Sequence, residues 1–141
     1  MKIMLDDGAI LPTRAHPWDA GLDLYAPESV ILRGRIDRYG SSVVIDTGVH
    51  VQIPEGMVGL VKSKSGLMCK HNIVTDGTID SHYTGSIKVK LFNHGKGDYF
   101  IDAGDKIAQL VIVKCELPEP ELVDSLEETD RGDGGFGSTG R

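Results

Sequence analysis

Short apolar segments separated by turn residues run along most of the chain. The first half contains three of them: Val43–Ile45, Val49–Ile53 and Met57–Lys62. They are rich in β-branched residues, and in the second segment Val49, Val51 and Ile53 alternate with polar residues. Alternation of this kind is typical of a strand with one buried face. The pattern therefore predicts several short strands, the second of which ends at Pro54.

Two more strands are predicted in the second half of the chain. The segment after Gly85 alternates apolar and polar residues, which indicates a half-buried strand. Ile107–Val113 is apolar at nearly every position, which indicates a strand buried on both faces. One short helical turn fits Ser65–Lys70, and no long amphipathic segment accompanies it. Many short strands with glycine and proline turns predict an all-β barrel or sandwich.

Composition narrows the class of protein further. A length of 141 residues suits one domain, and 40% hydrophobic with 26% charged residues is ordinary for a globular protein. The net charge of −6 argues against direct nucleic-acid binding through a basic face. No apolar run approaches a membrane span, and the N-terminus lacks a signal-peptide pattern. Because Cys69 and Cys115 show no metal-type spacing, we expect two reduced thiols in a cytoplasmic protein.

The chain changes character after Val113. Seven acidic residues and no Lys or Arg lie between residues 116 and 130, and Pro118 and Pro120 interrupt this segment. A glycine-rich stretch, 131–141, follows and is expected to be mobile when nothing is bound. We therefore expect a β-barrel domain over 1–115 and a C-terminal arm with a flexible tail over 116–141.

The glycine-rich tail carries groups that suit a nucleotide. Consecutive glycine amides can approach phosphate oxygens, Arg131 adds a fixed cation and Phe136 offers a plate for stacking on a base. The letters of a dinucleotide fingerprint also occur here, but that motif must open a helix and here the chain ends. A tail with no binding role explains the composition equally well.

The stretch Gly77–Val89 organises the candidate chemistry. Asp80 and Tyr83 stand three residues apart, on the first arm and bend of a predicted β-hairpin that leaves as a strand after Gly85. A rigid hairpin can present reactive groups in this way. Taken alone, the stretch fits an ordinary turn with an Asp in it at least as well.

Three other polar positions stand out. Lys64-Ser65-Gly66 opens the predicted helical turn, where Ser65 is a natural N-cap and free amides attract anions. Asp23, between two leucines, is either a hydrogen-bonded turn residue or a site residue. Gln109 interrupts an apolar strand, so it needs a partner from the backbone, another subunit or a ligand.

Taken together, these segments resemble the trimeric deoxyuridine triphosphatase (dUTPase) family. The resemblance runs from about residue 18 to the end, and five family motifs appear in order: Ala20–Ala26, Lys64–Leu67, Gly77–Gly85, Gly104–Leu110 and Arg131–Gly140. Each motif alone is weak, whereas five in this order and spacing are highly specific.

The resemblance implies a jelly-roll-like β-barrel subunit with an extended, glycine-rich C-terminal arm. It also implies a homotrimer whose three active sites are shared between chains, each completed by a neighbour's tail. The reaction it implies is hydrolysis of dUTP to dUMP and pyrophosphate, which keeps uracil out of DNA and supplies dUMP for thymidylate synthesis. Mg2+ would be the cofactor, without a direct protein ligand and with Asp23 in a possible outer-sphere role.

The resemblance also assigns roles to individual residues. Asp80 would be catalytic and activate the attacking water, and Tyr83 would lie under the deoxyribose and exclude ribonucleotides. The backbone of the Val74–Ile79 hairpin would bind uracil. The further substrate-binding candidates are Lys64, Ser65, Gly66, Asp76, Gly77, Thr78, Ile79, Lys88, Gln109, Arg131, Phe136, Gly137 and Ser138.

The sequence departs from the usual family pattern in three places. Lys64 stands where many members have Arg, and a lysine cannot form the bidentate phosphate contact. His82 stands where an acidic residue is frequent; its position indicates that it faces away from the pocket, although a histidine can add pH sensitivity near neutrality. The predicted hairpin Val74–Gly77 is shorter than in many members, so the base-contacting side chain, with Asp76 as one candidate, is left open.

Two alternatives remain at this stage, one with the same fold and another reaction, and one from a different class. The related dCTP deaminases share the architecture, although the Asp80 to Tyr83 pattern and the full tail favour the dUTPase reaction. Some phage-type members also bind a protein partner, so a regulatory role is the second alternative.

Overall fold

The computed structural model describes residues 1–35 and 40–135. Within them, the elements in chain order are β1 (Lys2–Leu5), β2 (Gly21–Tyr25), β3 (Val30–Leu32), β4 (Ser41–Gln52), β5 (Met57–Lys62), α1 (Ser65–His71), β6 (Ile73–Val74), β7 (Asp76–Ile79), β8 (Ser86–Asn93), β9 (Tyr99–Ile101) and β10 (Lys106–Lys114). The fold is mostly β with one short helix, which confirms the predicted class. The described residues include no helix long and apolar enough to cross a membrane.

The strands form two four-stranded antiparallel sheets and one small sheet. The first sheet has the order β1-β4-β8-β6, the second has the order β2-β10-β5-β7, and β3 pairs with β9. Leucine, isoleucine and valine side chains from both large sheets join one buried cluster. The architecture is jelly-roll-like, and the described strands do not close into a hydrogen-bonded barrel.

Strand β4 unites two segments that the sequence pattern separates. Val43–Ile45 and Val49–Ile53 were predicted as two strands, yet one strand spans Ser41–Gln52. Gly48 lies between them with φ +64°, and the pairing with β8 shifts register between Asp46 and His50. A Cβ at Gly48 would lie 2.8 Å from the Ala9 Cβ. Glycine therefore allows the strand to continue through an irregularity.

Strand β10 lies inside the second sheet, between β2 and β5. Ile107, Ala108 and Leu110 are buried, as predicted for a strand with apolar residues on both faces. Val111 and Val113 are only half-buried in this chain. Within this chain, the expectation of burial on both faces is therefore wrong for the second half of the strand.

The predicted hairpins around Asp80 are wrong. Strand β7 pairs with β5 in the second sheet, whereas β6 and β8 pair with each other in the first. The chain therefore crosses between the sheets at Thr75 and crosses back through residues 80–85. Asp80 and Tyr83 lie on an inter-sheet loop, and Val74–Ile79 is not a hairpin.

Beyond Cys115, the described chain to residue 135 contains no helix or strand, and nearly every residue is exposed. Its last backbone contact with the core is the hydrogen bond that Cys115 N donates to Gly56 O at 3.0 Å. Cys69 and Cys115 are free thiols, as predicted.

Candidate active site

The inter-sheet loop holds Asp80 and Tyr83 in a tight turn. Tyr83 N donates to Asp80 O at 3.0 Å, and the Tyr83 hydroxyl donates to Ser86 O at 2.9 Å. The Tyr83 ring lies against Gly85, where a Cβ would come within 2.5 Å of the phenolic oxygen and 2.6 Å of the ring. Glycine at 85 therefore lets the ring fold back over the loop, and Tyr83 keeps 42% of its surface exposed.

The end of this loop is tied to β4. Ser86 Oγ donates to a carboxylate oxygen of Asp46, and this hydrogen bond lowers the pKa of Asp46. The Asp80 side chain is exposed and makes no hydrogen bond or ion pair within the described residues. The loop is thus held by its backbone and by Ser86, while the Asp80 carboxylate stays free.

Strand β7 leads into the loop along the edge of the second sheet. One side of Asp76–Ile79 pairs with β5, so its other side carries backbone groups that no described strand pairs. Asp76 forms an exposed ion pair with Lys62. The edge therefore offers N–H and C=O groups in a fixed row, as exposed sheet edges do.

A second cluster surrounds Asp23. This residue lies within β2, is 7% exposed, and receives hydrogen bonds from Lys64 Nζ at 2.5 Å and from Lys106 Nζ at 2.7 Å. Burial alone raises the pKa of Asp23, but the two ammonium groups outweigh it and hold this pKa below its usual range. The same contact raises the pKa of Lys106. Asp23 is therefore an ion-paired strand residue, so of the two alternatives the turn residue is wrong.

A groove of about 380 Å³ opens beside this cluster, and Asp23, Lys64 and Gln109 are among its lining residues. Gln109 Nε2 donates to Ser63 O at 3.2 Å, so its partner within the chain is backbone. A Cβ at Gly21 would lie 2.3 Å from Gln109 Oε1, so only glycine lets this amide lie flat against β2. The groove thus combines a lysine and an amide beside a neutralised carboxylate.

Helix α1 begins next to this groove. Lys64 is the N-cap, and no side chain caps the helix, so the prediction of Ser65 as the N-cap is wrong. Ser65 is instead the first helical residue and is exposed. A Cβ at Gly66 would meet nothing within 4 Å, so the space above the first turn is open. Free amides and open space at this turn are compatible with an anion.

One chain does not bring all candidate residues together. Asp80 lines a different cavity, of about 350 Å³, with neighbours that include Met57 and Leu117. Lys88 lies in the first sheet, 3.7 Å from Asp46, away from the Lys64 groove. Arg131 is exposed and donates to Gly134 O at 3.0 Å. Phe136, Gly137 and Ser138 lie outside the described residues.

Sequence reasoning missed two residues that contact the lining of the groove, Lys106 through Asp23 and Ser63 through Gln109. Lys106 was quoted within a motif but received no role, although its ammonium group contacts Asp23. Ser63 Oγ donates to Thr75 O and accepts from Thr75 N, both at 2.8 Å, which joins the chain before α1 to the start of β7. Neither contact has a sequence signal, because each joins residues that are distant along the chain.

The described residues contain no group of three His, Cys, Asp or Glu side chains that could hold a metal ion. Both Asp23 oxygens already accept from lysines. This donor set suits a metal bound mainly by a ligand's oxygens and by water, as Mg2+ often is at phosphate sites.

The fold and these surfaces define a jelly-roll-like all-β protein with a polar groove lined by Asp23, Lys64 and Gln109, and with an exposed carboxylate, Asp80, on an inter-sheet loop. A family model described as dUTPase matches residues 7–140. The chain belongs to the dUTPase family.

Individual relatives match over nearly the full length. A deoxyuridine 5'-triphosphate nucleotidohydrolase of Clostridium acetobutylicum is 43% identical over 139 residues, which cover 96% of this chain and 92% of that protein. The dUTPase of Staphylococcus bacteriophage 80alpha, solved with dUPNHPP, is 34% identical with a TM-score of 0.89, and the match covers 99% of this chain and 98% of that one. A mutant dUTPase from phage phi11 of S. aureus, described as revealing the coordination of a structural Mg(II) ion, is 33% identical with a TM-score of 0.80, over 90% of this chain and 98% of that one.

Proposed function

We propose that this protein hydrolyses dUTP to dUMP and pyrophosphate, with Asp80 as the residue that positions and activates the attacking water. The observation that carries the proposal is the dUTPase family match over residues 7–140, which includes the loop where Asp80 is exposed. Water attacks the α-phosphorus, the bond from that phosphorus to the bridging oxygen breaks, and pyrophosphate leaves. A carboxylate that has no hydrogen-bond or ion-pair partner within residues 1–35 and 40–135 is free to accept the proton of that water.

Substrate selection follows from the elements on either side of Asp80. The free edge of β7, from Asp76 through Gly77, Thr78 and Ile79, offers backbone groups that can pair with the edge of uracil. A cytosine presents a donor where uracil has an acceptor, which leaves groups unpaired and discriminates strongly. Tyr83 packs under the deoxyribose, where a 2′-hydroxyl clashes, so UTP is refused.

The phosphates bind in the groove beside α1. Lys64 supplies charge, Ser65 and Gly66 supply a hydroxyl and free amides, and Gln109 supplies an amide. The position of Gly66, which faces open space, supports this assignment. The Lys64 ammonium lies 2.5 Å from Asp23, which limits its movement and offsets part of what a lysine lacks relative to an arginine fork.

The C-terminal tail completes the site. Arg131, Gly137 and Ser138 contact the outer phosphates, and Phe136 stacks on uracil, which excludes bulk water when the tail closes. Lys88 remains a substrate-binding candidate, although its distance of 3.7 Å from Asp46 favours a structural role.

Mg2+ accompanies the triphosphate in this scheme. The ion neutralises phosphate charge and polarises the phosphoryl oxygens when it is bound. The phosphates and water would provide its ligands, with Asp23 of the groove in the outer-sphere role that the family resemblance implies. The reported Mg(II) ion in the phage phi11 relative supports a role for this metal.

We further propose that the active site is shared within a homotrimer. The support is that Asp80 and the Lys64 groove line separate cavities in one chain, so another subunit is needed to join them. The half-buried apolar positions of β10 also suit a covered surface. A cytoplasmic location is part of the same proposal and agrees with two free thiols.

The test is pyrophosphate release from dUTP with Mg2+, with dCTP, dTTP and UTP alongside. We compare the intact protein, Asp80→Asn and a chain that ends at Asp130, and we measure the mass of each in solution. Turnover of dUTP alone, lost in Asp80→Asn and largely lost without the tail, is the expected result for a trimer. Ammonia released from dCTP by the intact protein would replace this proposal with the deaminase reaction.

A further inference from the structure

His50 lies where three parts of the fold meet. Its ring Nδ1 is 2.8 Å from the carbonyl oxygen of Thr84, in the loop that carries Asp80 and Tyr83. Its Nε2 is 3.1 Å from Oδ2 of Asp6, in the turn after β1. The side chain is only 18% exposed, although it lies near the molecular surface. One imidazole therefore connects the active-site loop to the N-terminal turn.

The local backbone brings these groups together. The irregularity at Gly48 shifts β4 so that His50 pairs with Ser86, just after the loop. Asp6 N donates to Gly48 O at 2.9 Å, which fixes the Asp6 turn against the same irregularity. The arrangement is thus built by strand register and by one left-handed glycine.

The two partners of His50 are both acceptors. A backbone carbonyl and a carboxylate have no hydrogen to donate, and a neutral imidazole has only one N–H. Both contacts are therefore hydrogen bonds only when the ring carries two protons. Deprotonation forces the ring to lose one partner, and the loop is then no longer connected to the Asp6 turn.

We propose that His50 is a positioning residue for the reaction: as an imidazolium it anchors the Asp80–Ser86 loop through Thr84, and its deprotonation loosens that loop. This inference rests on the proposed function, since it concerns the placement of Asp80. His50 does not touch the substrate and acts through the loop backbone.

The surrounding charges favour the protonated ring. The backbone contact with Thr84 makes the largest contribution to a raised pKa of His50, followed by the hydrogen bond with Asp6, and Asp46 on β4 acts in the same direction. Among the cations, Lys2 on β1 lines a surface pocket together with His50, and Lys88 on β8 is paired with Asp46. The anchor is therefore complete below the ordinary histidine pKa and is lost as pH rises through the raised value.

Two variants separate this role from a merely structural one. His50→Gln has no titrating ring and cannot bridge both acceptors as an imidazolium does. Asp6→Asn presents an amide that can either accept from the ring or donate to it, so both protonation states of His50 keep two hydrogen bonds. Asp6→Asn should therefore anchor the loop at every pH. His94→Gln, in the turn after β8, is the matched control, and His82→Gln tests the other histidine of the loop.

The experiment measures kcat and KM for dUTP from about pH 5.5 to pH 9 in all five proteins. The ratio of kcat between the native protein and His50→Gln cancels the titration of the substrate and of other groups. We expect this ratio to be about tenfold at low pH, because small displacements of a catalytic group are costly, and to fall as pH rises. We then form the same kcat ratio to His50→Gln for each other variant. The ratio for Asp6→Asn should not fall as pH rises, whereas the ratios for His94→Gln and His82→Gln should fall as the native ratio does.

The inference is overturned if the kcat ratio of native protein to His50→Gln does not change with pH. It is also overturned if the kcat ratio of His82→Gln to His50→Gln does not fall as pH rises. A side-chain 1H–15N NMR titration gives the His50 pKa without any turnover, and a value that Asp6→Asn leaves unchanged would also overturn it. The proposed function is judged separately, by whether the native protein hydrolyses dUTP at any pH and releases no ammonia from dCTP.

Discussion

Two aspartates in this protein show opposite uses of a carboxylate. Asp23 is 7% exposed, and lysines bind both of its oxygens. Asp80 is exposed, and within the described residues its side chain has no hydrogen-bond or ion-pair partner. The charge of Asp23 is paired with the ammonium groups of Lys64 and Lys106. The charge of Asp80 is available to a ligand. Because two ammonium groups hold the pKa of Asp23 below its usual range, that carboxylate is a weakened base.

The two aspartates also differ in how the backbone supports them. Asp23 lies within a paired strand and opposes Gln109 of β10. Asp80 follows the edge strand β7 and lies on a loop held through Thr84, Ser86 and Tyr83. Its position therefore depends on contacts around it rather than on its own side chain. The following predictions test this contrast, from the largest expected effect to the smallest.

Asp80→Asn should remove activity without removing stability. The amide cannot accept the proton of water, so we expect kcat to fall by about 10²- to 10⁴-fold. Because the Asp80 side chain is exposed, the melting temperature of the Asp80→Asn variant should stay near that of the native protein. Pyrophosphate release and thermal unfolding are measured together, with Asp102→Asn in an exposed turn as the control. Full turnover by Asp80→Asn would mean that another residue activates the water.

Gly85→Ala should disturb the Asp80 loop and spare the Asp23 groove. The new Cβ would lie 2.5 Å from the Tyr83 hydroxyl, so the ring or the loop must move. We expect kcat/KM for dUTP to fall by roughly tenfold or more, with weaker rejection of UTP. Gly97→Ala is the matched control, since a Cβ there meets nothing within 4 Å. Unchanged selectivity against UTP would argue against a role for Tyr83 in sugar recognition.

Asp23→Asn should lower stability. The substitution removes the negative charge between Lys64 and Lys106 and leaves the two ammonium groups close together. Both lysine side chains are partly exposed, at 28% and 41%, so solvent screens part of their repulsion. We therefore expect a loss of about 1–2 kcal/mol in the free energy of unfolding, measured by urea titration. The pKa of Asp23 is lowered from 3.8, so its contribution is present above that value and is lost as pH falls through the lower folded-state pKa.

The stability difference between the native protein and Asp23→Asn should accordingly shrink in acid. A difference that grows as pH falls would contradict the assignment of Asp23 as an ionised partner of both lysines.

Lys62→Gln should change stability least. The Lys62–Asp76 pair is exposed, at 48% and 75%, so solvent screens it. We expect a change of less than about 0.5 kcal/mol in the free energy of unfolding, with little dependence on salt. Urea titration beside Asp23→Asn makes the comparison direct. A loss as large as that of Asp23→Asn would show that burial does not separate the two pairs.

Several elements follow from local pattern alone. Met57–Lys62 and Ser65–Lys70 lie within one residue of the ends of β5 and α1, because short segments bounded by turn residues are local signals. The partners of these elements are not local. The hairpin around Asp80 was predicted from two strands and a turn, yet β7 and β8 belong to different sheets. Sequence periodicity states which face of a strand is apolar and does not state which strand lies beside it.

The same limit applies to the candidate site. The motifs identified Asp80, Lys64 and Gln109 as candidates, and their roles remain predictions. The pattern gave no sign that Lys106 shares Asp23 with Lys64, or that His50 contacts the Thr84 carbonyl. These contacts join residues more than thirty positions apart, and their geometry depends on strand register and on the irregularity at Gly48.

By itself, the sequence determined the all-β class, most strand segments and the family, because alternation, turn residues and ordered motifs are properties of neighbouring residues. Only the tertiary structure decided that lysines pair with the carboxylate of Asp23 and that the carboxylate of Asp80 has no partner within the described residues. Whether an aspartate keeps its charge available depends on the cations and donors packed around it, and those arrive from distant strands. The difference between Asp23 and Asp80 is therefore a property of the packed sheets, although both residues lie in short, recognisable motifs.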